Sequence, residues 1–318
     1  MFGVFSLFFY SLARPFEKGW AYEVFFKSDP PHNNLNISPA MGVRYPIAMA
    51  GHGKVAIVTG GGRGLGRAMA LGLSRAGFRV AITAARNRDE IEAVGREAPE
   101  GQIYPVMADV SRESACAALL KQVEARLGPV DVLVNNAGRG MRFVSERFLV
   151  EPQPFWKTDP EIWRMIIETN VNGPFFISGA AAPGMISRRW GRIINISMNR
   201  ETMRRRGFSP YGPSKAALES ETIIWAQDLA GTGVTVNALL PGGATLTGMI
   251  PGEVPPELRK KLIAPEIMVA PLLWLVSDAA DEVTGQRLDA SRWDTNLNQS
   301  AAAAKACEPA LWGAPKME

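Results

Sequence analysis

Histidine and cysteine are scarce in this chain, which has two of each among its 318 residues. His32 and His52 both lie in a Pro/Asn/Gly-rich stretch, so a histidine-rich metal site or a Ser-His-Asp triad has little to draw on. Cys116 and Cys307 cannot build a disulfide framework and stand in no paired metal-ligand spacing. We therefore expect no bound metal, and a reducing, cytoplasmic location.

Long apolar runs are also missing. The opening "MFGVFSLFFYSLARPF" is apolar for about a dozen residues, too few to span a bilayer. It has no basic region ahead of the apolar run and no clear cleavage site, so a signal peptide is not favoured. Residues 1–52 are predicted to be a poorly ordered extension, and translation could instead begin at Met41 or Met49. A membrane-surface anchor is the alternative interpretation of this extension.

Charge is nearly balanced, with 35 basic and 31 acidic residues and a net charge of +4. The densest basic clusters, Arg188 with Arg189 and Arg204 to Arg206, are short and are typical of solvated faces, so no nucleic-acid partner is expected. A composition of 47% hydrophobic and 21% charged residues is that of an ordinary globular domain.

From residue 54 the pattern alternates between strands and helices. "KVAIVT", "FRVAIT", "QIYPVMADV", "VDVLVNN", "RIINIS" and "VTVNALL" read as strands separated by helical segments, including one long helix within residues 159–189. This alternation predicts an α/β class, a doubly wound parallel sheet of the Rossmann type. The domain is expected to cover residues 53–292, followed by a tail at residues 293–318.

The glycine-rich stretch "TGGGRGLG" follows the first strand and opens a helix. Backbone amides at a helix N-terminus favour an anion, and Gly60, Gly64 and Gly66 would let a pyrophosphate approach without Cβ clashes. Arg67 and Ala68 stand where a Walker A loop needs Lys and Ser or Thr. The segment predicts a dinucleotide site; the alternative is a turn that only packs the helix tightly.

The end of the second strand bears on which dinucleotide binds. It reads "ITAARN" and carries no acid before Asp89 that could accept a hydrogen bond from the ribose 2′-hydroxyl. Arg86 and Arg63 could instead approach a 2′-phosphate. NADP(H) is therefore preferred over NAD(H), although Arg86 could simply point into solvent.

Tyr211 and Lys215 are four residues apart and so share one helix face. A free phenol has a pKa near 10, and a neighbouring cation is needed to stabilise the phenolate at neutral pH. Lys215 can supply that cation, at the start of the helix after the fifth strand. The pair predicts a proton-transfer device.

With these motifs in order, the chain resembles the short-chain dehydrogenase/reductase family over residues 53–292. The motifs that support this resemblance are "TGGGRGLG", "ADV" around Asp109, "NNAG" ending at Gly138, "NVNG" from Asn170, "YGPSK" and "PGGATLT" from Pro241. The resemblance implies hydride transfer between NADP(H) and a small-molecule carbonyl or secondary alcohol. It also implies a homodimer or homotetramer through helices around residues 160–187 and 214–230.

The resemblance further implies roles for individual residues. Tyr211 would be the general acid or base, assisted by Lys215 and by Asn170, which would help to hold a water. Asp109 and Val110 would border the adenine, although Asp109 could merely sit beside a helix N-cap. The implied cofactor-binding residues are Gly60, Arg63, Gly64, Leu65, Gly66, Arg86, Asp109, Val110, Asn136, Ala137, Gly138, Tyr211, Lys215, Pro241, Gly242 and Thr247.

Met198 departs from this family pattern, which usually has Ser or Thr thirteen residues before the tyrosine. A methionine donates no hydrogen bond to a substrate oxygen. A neighbour could replace the hydroxyl, with Ser197, Asn199 and Thr202 as candidates and Ser197 counted among the catalytic residues. Alternatively, the enzyme acts slowly on a reactive or internally hydrogen-bonded substrate, or the chain is a non-catalytic dinucleotide-binding protein.

Two long loops are expected to hold the substrate. One spans residues 139–161 and the other begins at Gly242; long loops in compact domains are often functional. Arg142, Phe143, Phe155 and Trp156, with Met203 and Arg204, could line a pocket of mixed apolar and cationic character, or could simply pack. No G-x-S-x-G elbow supports a hydrolase.

Overall fold

A computed structural model describes residues 51–252 and 256–311. Apart from its last two residues, the predicted N-terminal extension lies outside these ranges, as does the end of the predicted C-terminal tail. Within the described ranges, no helix is long and apolar enough to cross a bilayer.

Eight strands form one sheet in the order β3-β2-β1-β4-β5-β6-β7-β8, parallel except for the last pair. Their bounds are β1 Val55–Val58, β2 Arg79–Ala84, β3 Ile103–Met107, β4 Val130–Asn135, β5 Gly191–Ile196, β6 Val234–Leu240, β7 Gln286–Asp289 and β8 Cys307–Pro309. Every residue of β1, β5 and β6 is buried. A parallel sheet with both faces covered explains why these strands are buried along their whole length, and the Rossmann-type prediction is confirmed.

Helices cover both faces of the sheet. Their bounds are α1 Gly64–Arg75, α2 Arg88–Glu97, α3 Glu113–Leu127, α4 Pro160–Ile167, α5 Gly173–Ser187, α6 Arg200–Met203, α7 Tyr211–Asp228, α8 Pro256–Arg259, α9 Val269–Leu275 and α10 Gln299–Ala306. Alternate residues of β1 enter opposite cores: Ala56 and Val58 pack with α1 and α9, whereas Val55 and Ile57 pack with α3 and α5. This alternation is the period of a strand buried on two faces.

The strand order reverses between β1 and β4, and this reversal positions the site. Parallel pairing aligns the strand ends, for example Asn135 with Asn195 and Leu240 with Asp289. Ligands of such sheets bind at the carboxyl ends of the strands beside the reversal. The predicted site residues follow these ends.

The long helix expected within residues 159–189 is present but is not regular throughout. It is divided into α4, a π-helical turn Glu168–Asn172 and α5. Pro174 has no N–H to donate to the carbonyl four residues earlier, so the regular hydrogen-bond ladder cannot continue there. The break places Asn170 in the wide turn.

The chain after residue 292 also differs from the expected tail. It forms α10 and β8, and β8 pairs antiparallel with β7, so the folded region reaches beyond the predicted boundary. Arg287 on β7 and Glu308 on β8 stand opposite each other in this ladder, and their side chains form an ion pair of 3.0 Å. Cross-strand pairing of opposite charges favours this register.

Candidate active site

The glycine turn between β1 and α1 has the shape of an anion cradle. Gly60 and Gly64 have φ of +65° and +53°, values that side chains rarely adopt. A Cβ at Gly66 would lie 2.2 Å from the carbonyl oxygen of Gly60, so only glycine fits. The N-cap residue of α1, Arg63, provides no side-chain hydrogen bond to the first amides of the helix. These amides suit a phosphate group.

Asn136 holds this turn from the end of β4. Its amide nitrogen donates to the carbonyls of Thr59 at 2.8 Å and Gly60 at 3.0 Å. The Thr59 hydroxyl accepts from the backbone amides of Asn136 and Ala137, both at 3.0 Å. Gly138 continues past the same edge, with an added Cβ 3.4 Å from the side-chain oxygen of Asn170. The predicted "NNAG" segment therefore shapes the cradle.

Two arginines predicted to approach a phosphate lie at the ends of elements next to the turn. Arg63 is exposed and lies 3.5 Å from Glu90, and Arg86 is exposed after the end of β2. Neither guanidinium is enclosed by protein, so both can approach a phosphate outside the turn. Leu65 packs inward against the core below.

Arg139 is a further cation here that the sequence reasoning missed. Burial, reinforced by the charge of Arg86, lowers its pKa, and the charges of Asp109 and Glu168 act in the opposite direction. The guanidinium also lies 5.7 Å from the centre of the Phe143 ring. In the sequence, the one feature that could have indicated Arg139 is its position as a basic residue directly after "NNAG".

Asp109 follows β3 and is tied to its own turn. Its Oδ1 accepts from the amide of Ser111 at 3.1 Å and from the Ser111 hydroxyl at 2.8 Å. Burial alone would raise the pKa of Asp109, but these hydrogen bonds and the nearby guanidinia of Arg139 and Arg112 bring it below its usual value. The side chain is thus charged and its orientation fixed. Val110 is buried beside Gly173.

Tyr211 and Lys215 occupy the first two turns of α7, with the ammonium 5.9 Å from the centre of the Tyr211 ring. Lys215 donates a hydrogen bond of 2.7 Å to the carbonyl of Ile196 at the end of β5. Burial lowers the pKa of Lys215 to about 8, although the carboxylate of Glu219 opposes this shift. Burial raises the pKa of Tyr211 to about 12. Near pH 7, the pair is a neutral phenol beside a cation.

Asn170 lies in the π-helical turn and is fully buried. Its amide nitrogen donates to the carbonyl of Arg139 and to the hydroxyl of Ser214, both at 3.0 Å, and its oxygen accepts from the Arg139 amide at 2.8 Å. Ser214 stands between Tyr211 and Lys215 on α7. Asn170 therefore joins the segment after β4 to helix α7.

Met198 fills the position where a hydroxyl was expected. Its side chain is 9% exposed and packs in an apolar cluster with Met141, Phe148, Met203 and Phe208, against which Tyr211 also packs. The hydroxyl of Ser197 donates to the buried carboxylate of Glu219 at 2.6 Å. Its only proton is directed to this carboxylate, so Ser197 could replace the missing donor only if this hydrogen bond were broken.

Asn199 and Thr202, the other two candidates for the missing donor, differ in the hydrogen bonds of their side chains. Asn199 caps α6 through its side-chain oxygen, which accepts from the amide of Thr202 at 2.8 Å. Its amide nitrogen lies 3.5 Å from the carbonyl of Gly242, a long hydrogen bond that a substrate could displace. Thr202 is partly exposed on α6. Asn199 and Thr202 are both half-buried, whereas Ser197 is buried.

The loop after β6 reaches back to the glycine turn. Gly242, which follows Pro241, has φ of +83°, and its missing Cβ leaves room for Asp289 and Ser291. The methyl group of Thr247 lies 3.0 Å from where a Cβ of Gly64 would stand. This loop therefore packs against the glycine turn.

Four of the six predicted pocket residues come together: Phe155, Trp156, Met203 and Arg204 line a pocket of about 380 Å³ beside α7. Arg142 is elsewhere, where it pairs with Glu146 and donates to the carbonyl of Gly248 at 2.7 Å. Phe143 packs near Arg139. Within the described residues, no group of His, Cys, Asp and Glu is arranged to hold a metal ion.

The sequence is similar to a known family of proteins. The family model described as short chain dehydrogenase matches residues 54–256. Acetoacetyl-CoA reductase of Shinella zoogloeoides is 36% identical over 250 residues, 75% of this chain and 97% of that protein. The 3-oxoacyl-(acyl-carrier-protein) reductase of Staphylococcus epidermidis is 30% identical over 244 residues, 74% of this chain and 96% of that protein.

A solved structure is also similar. A metagenomic short-chain oxidoreductase in complex with NADP superposes with a TM-score of 0.61 at 30% identity, covering 74% of this chain and 95% of that one. Fold and sequence comparisons therefore identify the same group of proteins.

Proposed function

Since this chain belongs to the short-chain dehydrogenase family of NAD(P)-dependent oxidoreductases, we propose that it transfers a hydride between NADP(H) and a carbonyl/secondary alcohol pair, with Tyr211 as the proton donor or acceptor. The observation that carries the proposal is the pair formed by the half-buried Tyr211 and the buried Lys215 at the carboxyl edge of the sheet. General acid catalysis of this kind contributes about 100- to 10,000-fold in rate.

The residues of the cleft fit a dinucleotide. The turn at Gly60, Gly64 and Gly66 would hold the pyrophosphate, and the charged side chain of Asp109 would meet the adenine. When bound, the nicotinamide supplies or accepts the hydride. Lys215 would contact the nicotinamide ribose while its charge favours the phenolate of Tyr211. Asn170 orients the Arg139 backbone and Ser214 beside this pair.

The proposed preference for NADP(H) rests on the exposed cations beside the turn. Arg86 follows β2, where a carboxylate would otherwise bind the ribose 2′-hydroxyl. Arg63 stands at the start of α1, a second cation within the same region. A guanidinium matches a phosphate in charge and in geometry.

A panel of carbonyl compounds tests the reaction. NADPH consumption is measured with quinones, diketones, aromatic aldehydes and acetoacetyl-CoA, the last because a relative is named for it. Tyr211→Phe is expected to abolish turnover. Tyr104→Phe is the matched control, because the Tyr104 hydroxyl only accepts from Gln122 at 2.8 Å on the surface. Equal turnover in the natural protein and Tyr211→Phe would contradict the proposal.

A second candidate function is favoured by Met198. The apolar side chain and the committed hydroxyl of Ser197 leave the position that usually holds the substrate oxygen without a hydroxyl donor. A dinucleotide-binding protein with little catalysis would show NADPH binding by fluorescence and no turnover on the whole panel. Turnover that requires Tyr211 excludes this candidate.

The proposal extends to assembly and location. Large apolar side chains are exposed on three helices: Trp163 on α4, Phe175 and Ile186 on α5, and Ile224 on α7. These helices coincide with the expected interface of a homodimer or homotetramer, which light scattering after gel filtration tests against a monomer. Cys116 and Cys307 are free thiols, which fits a cytoplasmic protein.

A further inference from the structure

A buried carboxylate connects the catalytic helix to the C-terminal segment. Glu219 lies on α7, one turn after Lys215, and is fully buried. Its Oε1 accepts from the Ser197 hydroxyl at 2.6 Å, and its Oε2 accepts from the amide of Leu311 at 3.0 Å. A charge buried this deeply is destabilising unless it is paired.

Arg287 is the counter-charge, and its side chain is 4% exposed. Its Nε lies 3.2 Å from Oε1 of Glu219 in an ion pair. Its Nη1 donates to Glu308 at 3.0 Å, and its Nη2 donates to the backbone carbonyl of Met198 at 2.7 Å. One guanidinium thus joins β7, β8 and α7 to the segment after β5.

That segment, together with Ile196 at the end of β5, contacts both residues of the proposed proton-transfer pair. The carbonyl of Ile196 receives the hydrogen bond of Lys215, and the side chain of Met198 packs in the apolar cluster that also contacts Tyr211. Ser197, between them, is held by Glu219. A shift of this short stretch would therefore move the anchor of Lys215 and the packing around Tyr211 together.

We propose that Arg287 is a positioning residue for the active site, which fixes the backbone of Ile196 to Met198 through the Met198 carbonyl and is itself held by Glu219 and Glu308. The inference deepens the proposed function and rests on it. It also assigns a role to the C-terminal strand: β8 contributes Glu308, and Leu311 just beyond it donates to Glu219.

Arginine is suited to this role because its planar fork can reach three partners at once. A lysine at this position keeps the positive charge near Glu219 but has one nitrogen, so it cannot also hold Glu308 and the Met198 carbonyl in the same geometry. Arg287→Lys therefore separates charge compensation from positioning. Arg287→Met leaves Glu219 without its counter-charge. If this variant does not fold, Arg287→Lys still tests the positioning role.

Arg192 is a matched control. It is likewise a buried arginine in a strand, with a side chain 1% exposed, and it pairs with Asp281. Arg192 lies at the amino end of β5, opposite the edge that carries the site. Arg192→Met should lower thermal stability without changing the active site.

The experiment compares the natural protein, Arg287→Lys, Arg287→Met and Arg192→Met by NADPH-dependent kinetics well below each melting temperature. Hydrogen-deuterium exchange of the peptide that covers residues 196–208 is measured in parallel. We expect kcat to fall about 10- to 100-fold in both Arg287 variants, since small misplacements of reacting groups have effects of this size. Exchange in the peptide should increase in these variants and not in Arg192→Met.

Each outcome decides a separate point. A natural protein that turns over, with kcat unchanged in both Arg287 variants, overturns the positioning role and leaves the proposed function standing. If the natural protein shows no turnover, the proposed function fails, and exchange alone decides the positioning role. If hydrogen-deuterium exchange in residues 196–208 is equal in Arg287→Lys and Arg192→Met, the positioning role of Arg287 is overturned. An equal fall of kcat in Arg192→Met would also overturn it, because the effect would then follow stability.

Discussion

The ammonium of Lys215 donates a 2.7 Å hydrogen bond to the carbonyl of Ile196, at the end of the central strand β5. This contact holds the lysine within 5.9 Å of the Tyr211 ring centre, in a buried place where its positive charge is not screened by water. The same burial lowers the pKa of Lys215 to about 8, so that its charge can be lost at moderately alkaline pH.

The first prediction concerns pH. Because burial lowers the pKa of Lys215 to about 8, the charged form is present below that pH and is lost above it. The value of kcat/KM should therefore fall above about pH 8, approaching tenfold per pH unit, since this profile reports groups of the free enzyme. Lys215→Met should remove activity at every pH, while Lys305→Met, on the surface of α10, should retain the natural profile. A flat profile to pH 10 would contradict this assignment.

Arg86 is predicted to select the cofactor. Arg86→Ser should weaken NADPH binding about tenfold, the loss of roughly one charge-assisted hydrogen bond, and should leave NADH binding unchanged. Fluorescence titration with both cofactors checks the ratio. Arg75→Ser removes an exposed arginine at the far end of α1 and should change neither affinity. An equal loss for NADH and NADPH would show that Arg86 does not meet the 2′-phosphate.

Glu221 is predicted to make stability depend on pH. One of its oxygens is buried with no hydrogen-bond partner, and burial raises its pKa to about 7. Between about pH 4.5 and 7 the folded protein therefore binds more protons than the unfolded chain, so the free energy of unfolding falls as pH rises through this window. Glu221→Gln should stabilise the protein by about 1–2 kcal/mol at pH 8, after allowance for partial solvent screening.

Chemical unfolding at pH 5 and pH 8 measures this effect. The exposed Glu282→Gln is the comparison and should change neither value by more than about 0.5 kcal/mol. If Glu221→Gln is destabilising at pH 8, the charged carboxylate has a partner in the assembled protein.

Met198→Ser is predicted to raise the rate. A hydroxyl at this position would donate to the substrate oxygen, and a single such donor contributes about 100-fold in other enzymes. We expect a gain of about 10- to 100-fold in kcat, together with a loss of stability of about 1–3 kcal/mol from the space left in the apolar cluster. Met203→Ser removes another methionine of the same cluster and should lose stability without gaining rate. An unchanged rate in Met198→Ser would indicate that another donor, such as Asn199, already serves.

The sequence predicted much of this site because its signals are local. Glycine spacing determines the turn at Gly60 to Gly66, and the four-residue spacing of Tyr211 and Lys215 places both on one face of α7. Six strands were recognised from their apolar runs. The strand β7 was missed because the polar "QRLD" lacks such a run, and β8 because only its pairing with β7 makes it a strand.

The remaining features depend on contacts between distant parts of the chain. Ser197 looked free in the sequence, but its hydroxyl donates a hydrogen bond to Glu219, 22 residues later. Arg287 carries no signal until β7 and β8 bring it to the Met198 carbonyl, 89 residues away in sequence. The charged surroundings of Arg139 could not be predicted, because they arise when β2, β3 and β4 bring Arg86 and Asp109 close to it.

The most direct measurement of the central claim follows the hydride itself. NADPH that carries deuterium at both positions of nicotinamide C4 is incubated with a ketone or aldehyde from the panel, and the alcohol is examined by mass spectrometry. The account predicts one deuterium at the carbinol carbon with the natural protein and no labelled alcohol with Tyr211→Phe. Unlabelled alcohol from the natural protein, or the same labelled yield from Tyr211→Phe, would contradict it.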